Sequence, residues 1–145
     1  MKTVAEILKG KPSQTVHTIA PDATVLEAIS KMAEQGIGAL LVTQGTDVVG
    51  IVTERDYARK IILKQRSSST TPVRDIMTPD VIYVRPDDTN ENCMALMTER
   101  HLRHLPVLDG KQLIGLISIG DLVKDIIAEQ QFIINQLEHY IAGSN

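Results

Sequence analysis

The sequence predicts a mixed α/β (α+β) fold made of two β-α-β-β-α repeats and finished by a long C-terminal helix. Three observations predict it. Laid without a gap over Val81 to Glu129, the stretch Val16 to Lys64 is identical at 13 of 49 positions, including Pro21/Pro86, Thr24/Thr89, Gly50/Gly115 and Asp56/Asp121. Each copy alternates Thr-led helical patterns with short β-branched runs. The 145 residues are 43% hydrophobic, enough for a core. A sheet of about three strands per copy is too small to stand alone. The two copies are therefore expected to pack face to face as one pseudo-symmetric domain.

The elements follow in order. Thr3 and Glu6 form a capping box before VAEIL (Val4 to Leu8), matched in the second copy by VRDIM (Val73 to Met77), where Pro72 suits a first helical position. Val16 to Ile19 and Val81 to Val84 read as short strands stopped by Pro21 and Pro86. Thr24 with Glu27 caps a helix whose Ala28, Ile29, Met32 and Ala33 share one face. Ala39 to Thr43 and Val48 to Thr53 form a hairpin, repeated by His104 to Leu108 and Leu113 to Ser118. A helix follows Thr53 and Ser118. The polar run Gln65 to Pro72 reads as a linker. The expected organisation is repeat 1 over 1–64, linker 65–72, repeat 2 over 73–128 and a helical extension over 129–145.

Composition narrows the function classes. A net charge of -3 with scattered Lys and Arg disfavours nucleic acid as a partner, and so does the absence of Trp. The start MKTVAEILKGKPSQ lacks a signal-peptide core, and no apolar run is long enough for a membrane span, so a cytoplasmic chain with no membrane partner is expected. Cys93, His17, His101, His104 and His139 lack metal-ligand spacing, and no nucleophile motif is present. No metal and no catalytic residue is expected.

The chemistry lies in GIVTERD (Gly50 to Asp56) and GLISIGD (Gly115 to Asp121). Thr53-x-x-Asp56 and Ser118-x-x-Asp121 are each legitimate capping boxes. They also suit a nucleotide: a carboxylate can accept from two ribose hydroxyls, and a helix start offers N–H groups to phosphate. Gly50 and Gly115 leave room for a ligand or an opposing backbone. The two roles are compatible.

With these endings, DIMT (Asp75 to Thr78) and LPV (Leu105 to Val107), the chain resembles the cystathionine beta-synthase (CBS) domain, in the tandem form called a Bateman module. The resemblance covers about Val4 to Ala128. It implies a pseudo-two-fold pair of repeats with two clefts between them, each able to hold an adenosine-type ligand: AMP, ADP, ATP, NAD or S-adenosylmethionine. It also implies regulation of a separate, unidentified protein instead of catalysis. Carried over, Thr15, His17 and Ile19 face Asp121 and Ser118 in one site, with Arg103, His104 and Pro106 near phosphate. Thr78, Asp80 and Ile82 face Asp56 and Thr53 in the other, with Gly38, Ala39 and Arg55. Repeat 1 has no charge at Gly38 and Ala39, so the Asp121 cleft is expected to take the more highly charged part of a ligand.

The last helix, from about Ile119 to Ile141, would be about 33 Å long and too apolar to stand alone in water. A homodimer is expected. The alternatives to an adenine-nucleotide sensor are a dimeric interaction scaffold whose clefts stay empty and a metal- or redox-responsive role through Cys93 and the histidines.

Overall fold

Helix starts in this chain are written locally, and the computed structural model, which describes residues 2–13 and 15–143, places them where the caps stand. Reciprocal Thr-to-Glu boxes open α1 (Val4–Lys9) and α2 (Val25–Gln35), and Thr53 with Asp56 opens α3 (Glu54–Tyr57). Thr89 caps α4 (Asn90–Arg100) by accepting from Asn92 N. Each such box satisfies two otherwise orphaned N–H groups. The α2 helix ends on Gly36 in the left-handed region, and α4 ends on His101 at the aligned position, with φ 56°. His101 is thus a helix terminator, a conformation that histidine tolerates better than most residues.

The strands are β1 (Thr18–Ile19), β2 (Ala39–Gln44), β3 (Asp47–Thr53), β4 (His104–Asp109) and β5 (Gln112–Ser118). Parallel β1 and antiparallel β3 flank β2, and β4 pairs with β5. Val42 pairs with Gly50 and Thr43 with Val48, so Val49 is the extra residue of a bulge beside Gly50. The predicted strand Val81 to Val84 is reduced to one parallel bridge between Val84 and Val107. Pro86, two residues on, has no N–H to continue it. Pro72 precedes the helical turn Val73–Asp75 as its cap instead of entering it, and this three-residue 3-10 turn replaces the expected helix. After α3 the chain widens into a π turn over Ala58–Ile62.

Two compact units result. The first comprises the described parts of Met1–Gln14, Val84–Leu108 and Gly115–Asn145, and the second Thr15–Tyr83 with Asp109–Ile114. Each unit joins the leading segment of one repeat to the body of the other. In the first, Val4 N and Ala5 N donate to Asp88 O and Pro86 O. In the second, Val73 N and Arg74 N donate to Ala23 O and Pro21 O. The core of the second unit gathers Val25, Ala28, Met32, Leu40, Val42, Val52, Ile61, Val73 and Ile76. Ala33, expected on the same face as Ala28 and Met32, is exposed, because the buried stripe runs through Val25 instead. The segment read as a linker is bonded into this unit: Val25 N and Leu26 N donate to Thr71 O and Ser68 O, and Thr71 is buried.

The first unit buries Val4, Ile7, Leu8, Cys93, Met97, Leu105, Val107, Ile117 and Leu122. Its helix α5 (Ile119–Gly143) buries only Leu122 and Asp125. Among the described residues, no helix is long and apolar enough to cross a membrane.

Candidate functional site

In the first unit, α5 starts where Ser118 can cap it. Asp121 N donates to Ser118 Oγ at 3.2 Å, and Ser118 N donates back to Asp121 Oδ2 at 2.8 Å. The same Oδ2 accepts from Lys11 Nζ at 3.0 Å, while that ammonium also donates to Leu116 O at 2.9 Å. Burial pushes the Asp121 pKa up, but the Ser118 N–H, the Lys11 hydrogen bond and charge, and the Ser118 hydroxyl outweigh it and leave it below its ordinary value. Its contribution to stability is present above the ordinary carboxylate pKa and fades as pH falls through the lowered one. Asp121 opens on a cleft of about 250 Å³ that is also lined by Lys2, Glu6, Lys11, Lys124 and Asp125.

The second unit repeats the theme. Asp56 Oδ2 accepts from Thr53 N at 3.0 Å and Thr53 Oγ1 at 3.1 Å, and Oδ1 lies 3.3 Å from Lys60 Nζ. Lys60 also donates to Ile76 O at 2.8 Å. Both aspartates are largely shielded from solvent, with side chains 12% and 19% exposed for Asp56 and Asp121. Each carboxylate accepts from the backbone N–H that precedes its own helix, so each serves as a cap in this structure.

The glycines of the two motifs admit the leading segments. A Cβ on Gly115 would lie 2.6 and 2.8 Å from the Leu8 methyls, and one on Gly50 would lie 2.6 Å from Met77 Sδ. Opposing chain, and not open space, fills the gap they leave. Beside Gly50, Ile51 and Thr78 exchange both backbone hydrogen bonds, at 3.0 and 2.8 Å, which holds Thr78 next to the strand leading to Asp56. Asp80 follows in the left-handed region, exposed, and Ile82 is half-buried.

The helix starts offer less to a phosphate than their sequence suggests. Glu54 N donates to Gly38 O and Ile119 N to Arg103 O, at 3.1 and 2.9 Å, while Asp56 N and Asp121 N are taken by the capping hydroxyls. Two of the first three helical N–H groups are thus used in each copy. Glu54 adds a carboxylate beside Gly38, 3.1 Å from where a Cβ would stand. Ala39 is buried and Arg55 exposed. Arg103 is exposed, His104 begins β4 half-buried, and Pro106 is buried with its carbonyl accepting from Val84 N. Thr15, His17 and Ile19 belong to the second unit and Asp121 to the first.

Sequence reasoning missed Lys11. It lies in the loop where the copies differ in length, so alignment assigns it no counterpart. It also missed a buried polar pair: Asn90 Nδ2 donates to Asp125 Oδ2 at 2.7 Å and to Leu122 O at 3.1 Å. Lys2 Nζ stands 3.5 Å from Asp125 Oδ1 without hydrogen-bonding it. The aligned positions of repeat 1 hold Val25 and Lys60, and this reversal of polarity was the available signal. Cys93 is fully buried, with a pKa pushed up to about 11 by burial and by the Asp88 charge, so its thiol is protonated and shielded at neutral pH, unlike a redox-sensing cysteine.

A family model described as the CBS domain matches residues 4–63 and 73–128. The chain is 38% identical to the mitochondrial CBS domain-containing protein CBSX3 of Arabidopsis thaliana, over 97% of this chain and 72% of that protein. It is similar to the structure of a protein with CBS domains from Burkholderia ambifaria MC40-6, with TM-score 0.86, 60% identity, and 89% and 96% of the two chains covered. It is also similar to CBSX2 in complex with AMP, with TM-score 0.74, 26% identity, and 90% and 99% covered.

Proposed function

We propose, from the premise that the chain belongs to the CBS-domain family, that it is a regulatory module binding an adenine nucleotide (AMP, ADP, ATP or NAD) and acting on a separate protein. The observation that carries this reading is the Asp121 cleft. An ionised carboxylate suited to a ribose diol stands there with the ammonium groups of Lys2, Lys11 and Lys124, which suit phosphates. The similarity to CBSX2, a protein captured with AMP, supports the ligand class. Asp56, with Thr53 and Thr78, is the corresponding candidate in the second unit. Regulation requires that the nucleotide bind two conformations of the module with different affinity.

Thermal denaturation tests the reading. AMP, ADP, ATP or NAD at about 100 times its Kd is expected to add about 2.7 kcal/mol of stability. No shift with any of the four would leave the second reading, a ligand-free scaffold.

That second reading rests on α5. Ile119, Ile126, Ile133 and Tyr140 recur every seven residues, as do Ile127, Ile134 and Ile141. Ile127, Ile134 and Ile141 are 62%, 47% and 65% exposed, so this stripe turns away from Leu122 and Asp125. A seven-residue apolar repeat suits a second helix wound against the first. A second copy of this chain presents the matching stripe, and a homodimer through α5 is compatible with either function. Ile134→Glu with Ile141→Glu is expected to yield monomers in sedimentation velocity with the far-ultraviolet spectrum retained. A persistent dimer would place the interface elsewhere.

A further inference from the structure

The apolar stripe on α5 is wider than pairing with one other helix uses. With Ile127, Ile134 and Ile141 at the a positions of a seven-residue repeat, Val123, Gln130 and Leu137 fall at d, and a and d are the rows that face a single partner. The g row flanks that seam and commonly carries Glu or Lys, but here it holds Ile126, Ile133 and Tyr140. Ile133 is 49% and Tyr140 74% exposed, while Ile126 is half-buried within its own chain. The opposite flank is polar, with Lys124, Gln131 and Glu138, and Gln131 donates to Asn135 Oδ1 at 3.0 Å. At 100° per residue the apolar arc from Tyr140 round to Ile127 covers about 140° of the helix, broader than a seam of a and d alone.

We propose that two α5 pairs join through the g row into a four-helix bundle, so that the chain assembles as a tetramer, a proposal that rests on the pairing of two copies through α5. The d row serves both contacts. Joined to a it makes one seam, and joined to g it makes a second, because Ile126, Gln130, Ile133, Leu137 and Tyr140 are spaced by four, three, four and three. Helices that face a bundle core are apolar at a, d and one flank, whereas a and d alone suit a two-stranded seam. At about 100 Å² for each exposed residue of the stripe, half of a large side chain, α5 presents on the order of 700 Å² per copy, above the about 300–600 Å² of the largest apolar patch on an ordinary monomer. A membrane surface suits this helix less well, since the segment from Glu129 to Gly143 has two carboxylates and no Lys or Arg to meet anionic lipid. A second pair presents the same stripe, and two two-fold pairs close into a tetramer. Gln130 lies in both seams, where a polar side chain fixes register at a cost in stability. The seam through a forms first, because half-buried Ile126 makes the g seam the smaller of the two.

Sedimentation velocity and light scattering on the full chain test this over a range of concentrations. The natural protein is expected at four times the chain mass. Ile133→Glu with Tyr140→Glu, both exposed in the single chain, is expected to halve that mass with the far-ultraviolet spectrum retained. Ile133→Ser with Tyr140→Ser repeats the test without added charge and is expected to shift the mass the same way. A natural protein that stays dimeric, and turns monomeric in Ile134→Glu with Ile141→Glu, overturns the bundle and leaves the α5 dimer standing. A tetramer that survives both g-row variants places the contact between pairs elsewhere and overturns the bundle as well. A monomeric natural protein removes the pairing, and the bundle with it.

Discussion

Asp121→Ala is expected to weaken nucleotide binding by about 10- to 150-fold, the range of about 1.5–3 kcal/mol that hydrogen bonds to a charged group are worth. Asp56→Ala is expected to cost less. The reason lies in the neighbours of each carboxylate. Around Asp121 the cleft places Lys2, Lys11 and Lys124 within reach of a ligand gripped at its sugar, beside the carboxylates of Glu6 and Asp125. Near Asp56 the Lys60 ammonium is held by Asp56 and Ile76 O much as Lys11 is held by Asp121 and Leu116 O, and Glu54 places a carboxylate against Gly38. The Asp121 cleft is therefore set apart by its two further lysines, Lys2 and Lys124. Because Asp121 also caps α5, Asp121→Asn serves as a control: the amide oxygen can still accept from Ser118 N, but the charge is gone. Calorimetry with AMP and ATP decides the order, and equal or reversed losses for Asp121→Ala and Asp56→Ala would overturn this ranking.

Gly115→Ala is expected to destabilise the fold by about 1–3 kcal/mol, the usual cost of overpacking. The added methyl would sit 2.6 and 2.8 Å from the Leu8 methyls, inside van der Waals contact, and Leu8 is 9% exposed, with little room to retreat. Leu8→Ala alone is expected to cost about 2–5 kcal/mol by leaving a cavity. Combined, the two changes relieve one another, since the alanine methyl at 115 enters space vacated by Leu8. The double variant is expected to cost at least about 1 kcal/mol less than the sum of the singles, the coupling that touching residues show. Urea unfolding of the four proteins measures it, and simple additivity would mean that α1 does not lie against β5. Gly50→Ala meets the unbranched, flexible Met77 at 2.6 Å but also the Thr78 carbonyl at 3.1 Å, which is held to Ile51 by backbone hydrogen bonds, and is expected to cost a similar amount.

Features written within three or four residues were legible before any coordinates. Thr3, Thr24, Thr53 and Ser118 cap the helices at which their spacing pointed, because a cap joins a side chain to a backbone N–H three residues on and needs nothing distant. The hairpins behave alike, Gly45 and Gly110 both taking φ 63° at the same place in the turn. The second copy of the first strand was overread: Val81 to Val84 has the right residue types but pairs only at Val84, since strand length depends on a partner and not on propensity. Met77 and Leu8 were legible as apolar residues, yet not as the groups that require glycine at 50 and 115.

The sequence by itself determined the duplication, the order of elements, the caps and the family, all of which are carried by short-range spacing or by direct comparison of one half with the other. Only the tertiary structure decided which leading segment joins which body and which cation meets each aspartate. Lys60 reaches Asp56 across one helical turn, whereas Lys11 reaches Asp121 across 110 residues. The physical reason is that an ion pair depends on distance in space. With Asp125 in place of a lysine one turn beyond Asp121, the balancing charge comes from a loop that no periodicity or alignment connects to it.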